Sequence, residues 1–279
     1  MKKAVFLLAM VTIIFFSCKK DHFTSTPAAK KYRVAFNVAN FTSRQSNLAI
    51  RHGARSLADT VNASGAIDIL YYAVYSGGIG VHGVITKQDS SMANFGTVID
   101  SLPAGQYQVV FIGGKKGLID TYTGRTAADN FHYGSTKWQD TFWDEFVMTV
   151  GNGNISQDVT LKRVVGKLEL DITDNIPANA DSLVITVDPE ATNFMNDGGM
   201  PSPPGGTVTY SEKIPAGAIG HSNFTMDRII GNIAVPATVT IICKDSGNQT
   251  IASATASNVT IQANTKTVLS GNLFATSPA

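Results

Sequence analysis

Charge is scarce in this chain. Only 15% of its 279 residues are Asp, Glu, Lys or Arg, against roughly 25% in an average soluble domain. The 22 basic and 21 acidic residues nearly cancel, leaving a formal +1. There is no basic stripe to bind nucleic acid and no acidic tail to stay disordered. Cysteine is rarer still: Cys18 and Cys243 are the two in the chain, which excludes a disulfide-dense scaffold. Cys243 alternates with Val239 and Ile241 and is expected to be a small core residue. No two of His22, His52, His82, His132 and His221 lie within five residues of each other. HExxH and Cys/His clusters with metal-ligand spacing are absent, so no metal and no cofactor is expected. A GxSxG elbow and a GxxxxGK[ST] loop are also missing. Gly113-Gly114-Lys115-Lys116-Gly117 lacks the spacing of a phosphate loop and reads as a strand-ending turn. Adjacent carboxylates such as Asp144 and Glu145 would point to opposite faces of a strand, which is wrong for paired acid and base work. No catalytic residue is nominated, and an enzyme is not expected.

Long apolar runs are missing as well, apart from the N-terminus. There Lys2 and Lys3 precede Ala4 to Phe16, 13 residues whose single polar member is Thr12. A membrane-spanning helix needs about 20 residues, so this run suits the apolar region of a signal peptide. Phe15-Phe16-Ser17-Cys18 resembles a lipobox, with the small Ser17 before the cysteine and Phe15 where Leu is usual. That resemblance implies cleavage before Cys18 and its acylation. Two or more acyl chains anchor stably where one does not, making the membrane a partner through lipidated Cys18. The competing reading is an ordinary secretory signal with a chance cysteine. Residues 1–17 are assigned as signal peptide and 18–30 as a lipidated tether. The tether contains Ser25, Thr26 and Pro27 and shows no periodicity.

What is plentiful is glycine, 25 residues of it, with Thr, Val, Ile and Asn, a composition of strands and tight turns. Tyr32, Val34, Phe36 and Val38 share one face of a period-2 strand. Ile67 to Tyr75 is apolar on both faces, as in a strand covered on both sides. Leu102 to Gly114 starts with a Pro-Ala-Gly turn and points Tyr107, Val109 and Phe111 inward. Glu145 to Val150 and Ile155 to Leu161, around Gly151-Asn152-Gly153, read as a hairpin. The pattern then restarts with Leu168, Leu170 and Ile172, followed by Leu183, Ile185 and Val187. Asp68-x-Leu70-x-x-x-Val74 is echoed by Asp181-x-Leu183-x-x-x-Val187, and Asp158-Val159-Thr160-Leu161 by Asn258-Val259-Thr260-Ile261. The fold class expected is all-β: two tandem β-sandwich domains, 31–162 and 163–279, each of ordinary sandwich size.

The lipobox, the strand LPAGQYQVV (Leu102 to Val110) and the stretch ISQDVTLKRVVGKLELDITDNIP (Ile155 to Pro177) together resemble fimbrillin-type anchor and accessory lipoproteins of transthyretin-like pilus systems. The resemblance implies transthyretin-like Greek-key sandwiches, an outer-membrane lipid anchor facing the cell surface, and fimbrial subunits as partners. Contact there is by donated strands, whose physical basis is β-augmentation. It makes Tyr32, Val34, Phe36 and Val38 the donor or acceptor strand candidate. A stalk subunit would lose this strand by cleavage after an arginine such as Arg44, Arg51 or Arg55, whereas an anchor would keep it. In the other reading, those arginines sit in an ordinary solvated loop.

One segment resists assignment to strands. Gly113 to Asp144 is rich in rings, among them Tyr122, Phe131, Tyr133, Trp138, Phe142 and Trp143. Its functional reading is stacking on glycan or gripping a partner subunit. Its structural reading is that the rings plug the first sandwich or fill the joint between the two. The second loop, Ala191 to Pro204, is rich in Met, Gly and Pro and suggests no chemistry.

Overall fold

A computed structural model describes residues 29–48, 57–82, 86–120, 130–133, 137–195, 205–231 and 235–274. Cys18, Arg51, Arg55 and Tyr122 lie outside the described residues. The architecture is all-β. The first run of strands is β1 (Lys31–Leu48), β2 (Leu57–Asn62), β3 (Ile69–Ser76), β4 (Ile79–Gly80), β5 (Thr86–Asp89), β6 (Thr97–Pro103), β7 (Gly105–Gly114), β8 (Leu118–Asp120), β9 (Asn130–Tyr133), β10 (Thr141–Val150) and β11 (Ile155–Arg163). The second is β12 (Val165–Ile172), β13 (Ser182–Glu190), β14 (Phe194–Met195), β15 (Gly206–Lys213), β16 (Phe224–Gly231), β17 (Ala237–Lys244), β18 (Thr250–Val259) and β19 (Thr265–Gly271).

These strands build one pattern twice. In the first half β1 lies between β6, its antiparallel neighbour, and β11, its parallel one. In the second half β12 lies between antiparallel β16 and parallel β19. The facing layers are β5-β3-β7-β10 and β15-β13-β17-β18, antiparallel throughout. Each half is thus a sandwich of seven equivalent strands, a three-strand layer over a four-strand layer. The Asp68/Asp181 echo marks equivalent places. Asp68 N–H donates to Gly114 and its carbonyl accepts from Ser90, while Asp181 N–H donates to Lys244 and its carbonyl accepts from Ile214, all at 2.8 Å. The other echo does not superpose, because Val159 lies within β11 but Val259 ends β18. β1 outruns its own half. Its last residues, Ser46 to Leu48, pair in parallel with Thr265 to Thr267 of β19, joining the two three-strand layers into one hydrogen-bonded path.

Three apolar clusters fill the fold. The first lies between the layers of the first half, with Val34, Phe36 and Val38 of β1 facing Tyr72, Val74, Val109 and Phe111. The second lies between the layers of the second half and is aliphatic around Leu170, Leu183, Ile185 and Val239, with Tyr210 its buried ring and Cys243 a small member. Burial pushes the Cys243 thiol up to about 11, so it stays protonated. The third covers the outer face of β3 and β7. That is why Ile69, Tyr71, Ala73 and Tyr75 are apolar opposite the equally apolar Leu70, Tyr72 and Val74.

The structure corrects two expectations. β10 and β11 pair in hairpin register only at their far ends, Phe142 with Arg163 and Trp143 with Lys162. Toward the Gly151–Gly153 turn they part, β10 joining β7 and β11 joining β1, because each must reach a different layer. The segment from Gly113 to Asp144 is not all loop. It contains β8 and β9, and β9 pairs with β14 from the second half; strands of two to four residues are too short to show alternation.

Candidate functional site

Two places hold the residues that the sequence nominates. The first is the slot of β1. Val34, Phe36 and Val38 are at most 2% exposed, with Tyr32 at the half-buried mouth. The Phe36 ring meets Phe111 edge-on at 5.3 Å and Tyr72 at 5.5 Å, contacts worth about 0.5–1.5 kcal/mol each beyond the buried area. The turn after β10 holds the start of β1. Arg33 N–H donates to Asn154 Oδ1 at 3.0 Å, and the Tyr32 hydroxyl donates to Asn152 Oδ1 at 3.3 Å. Arg44 lies within β1 opposite Ala58 of β2, in a strand and not in a loop.

β6, one wall of the slot, is fastened to the other layer by side chains that the sequence did not single out. Buried Gln88 donates to Thr97 O at 2.7 Å and accepts from Gly96 N–H at 2.9 Å. The Tyr72 hydroxyl donates to Asp100 Oδ2 at 2.9 Å, and His82 Nε2 lies 2.7 Å from the same oxygen. Burial first, and then the charge of Asp100, push the Tyr72 hydroxyl well above its ordinary range. Nothing in the spacing of these residues announces a clamp, because the partners lie on different strands and loops, and Gln88 bonds to backbone groups whose identity no side chain reveals.

The second place is the aromatic segment. Phe131, Tyr133 and Trp138 are buried in the third cluster, with Trp143 half-buried against it. Trp138 stands edge-on to Tyr133 at 5.7 Å and to Phe194 at 4.7 Å. Its indole N–H donates to Ala191 O at 2.5 Å. Phe131 packs edge-on against Tyr71 at 5.1 Å. Burial pushes the Tyr133 hydroxyl up to about 12. These rings sit where the first half meets the second, since Ala191 and Phe194 follow β13. Phe142 belongs to the first core instead.

Glu190 was not anticipated. Period-2 alternation from Leu183, Ile185 and Val187 would point Pro189 inward and Glu190 outward. A register shift between Val187 and Glu190 turns the carboxylate into the interior, where it is 0% exposed. There it accepts from the Tyr210 hydroxyl and from Gly231 N–H. Burial pushes its carboxyl up to about 7.

Among the described residues, no group of three or more His, Cys, Asp or Glu could hold a metal ion, and no helix is long and apolar enough to cross a membrane.

Compared with solved structures, this arrangement of strands is familiar. A candidate adhesin from Bacteroides ovatus superposes with a TM-score of 0.53 at 12% identity, over 81% of this chain and 77% of its own. The fimbrial anchor protein Mfa2 from Porphyromonas gingivalis superposes with a TM-score of 0.52 at 12% identity, over 80% and 82%. The chain shares their fold. A third such structure, a candidate polysaccharide-binding protein from Bacteroides thetaiotaomicron, superposes with a TM-score of 0.53 at 10% identity, over 79% and 78%. No protein-family model matches the chain, and no curated protein matches it in sequence.

Proposed function

We propose that this chain is a fimbrial anchor or accessory subunit, held at the outer membrane by acylated Cys18 and working at the cell surface through strand contact with other fimbrial subunits. It acts without chemistry of its own. The observation that carries the proposal is the slot of β1. Three apolar side chains fill the middle of a layer whose walls, β6 and β11, keep other attachments, and backbone pairing on both sides makes such a slot a place for β-augmentation. The fold shared with a fimbrial anchor protein and a candidate adhesin supports this reading. We place the domain boundary between residues 162 and 163, at the end of β11 and two residues before β12 begins at Val165.

Mass spectrometry of the native protein tests the proposal. The expected mature chain begins at acylated Cys18 and retains Lys31 to Val38. A chain starting just after Arg44 or Arg55 would make it a polymerising subunit instead. Co-purification of a pilin-like partner is expected as well. The other reading, glycan capture through the aromatic segment, draws on the likeness to a candidate polysaccharide-binding protein. Against it, Phe131, Tyr133 and Trp138 are buried, leaving Trp143 as the half-buried ring among those described. Retention on polysaccharide that is lost in Trp143→Ala with the fold intact would favour the glycan reading.

A further inference from the structure

The joint between the two halves closes around an acid. Glu190 stands beside two backbone groups that lie against Trp138. Its own Oε1 accepts from Gly231 N–H at 3.2 Å, and the next residue, Ala191, accepts the indole N–H. The fit is tight: a methyl group added at Gly231 would overlap both Trp138 Nε1 and Ala191 O. Three residues on, Phe194 packs on the same indole, and β14 pairs with β9. The Glu190 carboxyl group thus lies against Gly231 and one residue before Ala191, the two backbone neighbours of the Trp138 indole.

No cation pairs directly with that carboxylate among the described residues. From β15, Tyr210 donates to it, and Glu212 lies farther along the same strand. From β16, the Arg228 guanidinium lies 3.5 Å from the centre of the Tyr210 ring and is committed to Glu212 at 2.6 Å. From the segment before β10, Lys137 also pairs with Glu212, at 3.1 Å. On β13 itself, Asp188 is exposed. On β9, His132 alternates away from Phe131 and Tyr133. A buried carboxylate without a paired cation is costly to ionise.

We propose that Glu190 makes this joint a pH-responsive contact, closed around Trp138 while the carboxyl is neutral and loosened when it ionises. The inference is independent of what the chain binds. Its direction follows from linkage. Burial raises the carboxyl from 4.5 to about 7, with Tyr210, Gly231 N–H and Arg228 pulling it partly back. The stability contributed by the neutral form is therefore complete below the ordinary carboxyl range and is lost as pH rises through about 7.

The chain has two tryptophans, so Trp143→Phe leaves Trp138 as the only indole reporter. In that background, emission of the full mature chain is expected to shift to longer wavelength as pH rises from about 5.5 to about 8.5, with a midpoint near neutrality. Glu190→Gln keeps an acceptor oxygen for Gly231 N–H and turns its amide N–H toward the Tyr210 oxygen, which then accepts; without an ionisable group there, it is expected to abolish the transition. Arg228→Gln removes the nearest positive charge and is expected to move the midpoint to higher pH. A flat profile in the parent overturns the proposal. So does an unchanged transition in Glu190→Gln, or, should that variant not fold, a midpoint that Arg228→Gln leaves in place or lowers.

Discussion

β1 and β12 occupy the same slot in their two sandwiches, each between an antiparallel neighbour and a parallel one, yet they are held differently. β12 is continuous with β11 before it and β13 after it, so both of its ends are fastened within the fold. β1 is the first strand among the described residues, and its start is held by side chains of the turn after β10, Asn152 and Asn154. Their surroundings differ too. The first core is aromatic, built around Phe36, Tyr72, Phe111 and Phe142, and its β3–β7 layer is covered again on the outside. The second is aliphatic and thins toward its edge strand β18, whose Ala252, Ala254 and Ala256 are only partly buried. A groove of about 870 Å³ opens there, lined by Leu170, Ile172, Ile241, Ala254, Ala256 and Leu269 among others. Backbone pairing repeats the topology; side-chain volume decides how completely each copy is filled.

The largest effect is expected at the joint, where the two halves are not interchangeable. Trp138→Ala should cost about 3–5 kcal/mol in denaturant unfolding and also leave Ala191 O without its partner. A loss below 1 kcal/mol would mean that the halves hold together without it. Next come the equivalent slots. Phe36→Ala should cost about 3–5 kcal/mol and Leu170→Ala about 2–5 kcal/mol, so near-neutral behaviour at either position would break the equivalence. The same enlargement should then separate the cores. Ala73→Leu, on the doubly covered β3, should destabilise by about 1–3 kcal/mol through overpacking. Ala254→Leu, facing the groove, should be neutral or raise the melting temperature slightly, because the added methyl groups enter open space. Equal penalties at both positions would show the second core to be as full as the first. Smallest of all, Lys137→Ala removes an exposed ion pair with Glu212 and should change stability by about 0–1 kcal/mol.

Much of this was legible from local pattern. The alternation of Tyr32, Val34, Phe36 and Val38 located β1, and the doubly apolar stretch from Ile67 to Tyr75 announced a strand covered on both faces. The Asp68/Asp181 echo pointed to equivalent strands. The Asn258 echo misled, because four residues of strand grammar recur at places that are not equivalent, within β11 and at the end of β18. The clamp of Gln88 and Asp100 on β6 had no signal at all, and Glu190 was hidden by a register shift that reverses which side chain faces in. Trp138 was visible as a candidate, but its partners, Ala191 and Phe194, lie more than fifty residues further along.

The amino-acid sequence by itself determined that the described chain would be strands, which residues of most strands face inward, and that no metal or nucleophile motif is present. These follow from side-chain period and residue type, which act over a few neighbouring positions. Only the tertiary structure decided that β1 pairs in parallel with a strand 120 residues away, that β10 and β11 part company into different layers, and that a carboxylate lies under the joint. Those outcomes depend on which edges and faces remain to be covered once every strand is placed, a competition among distant segments that no local pattern records.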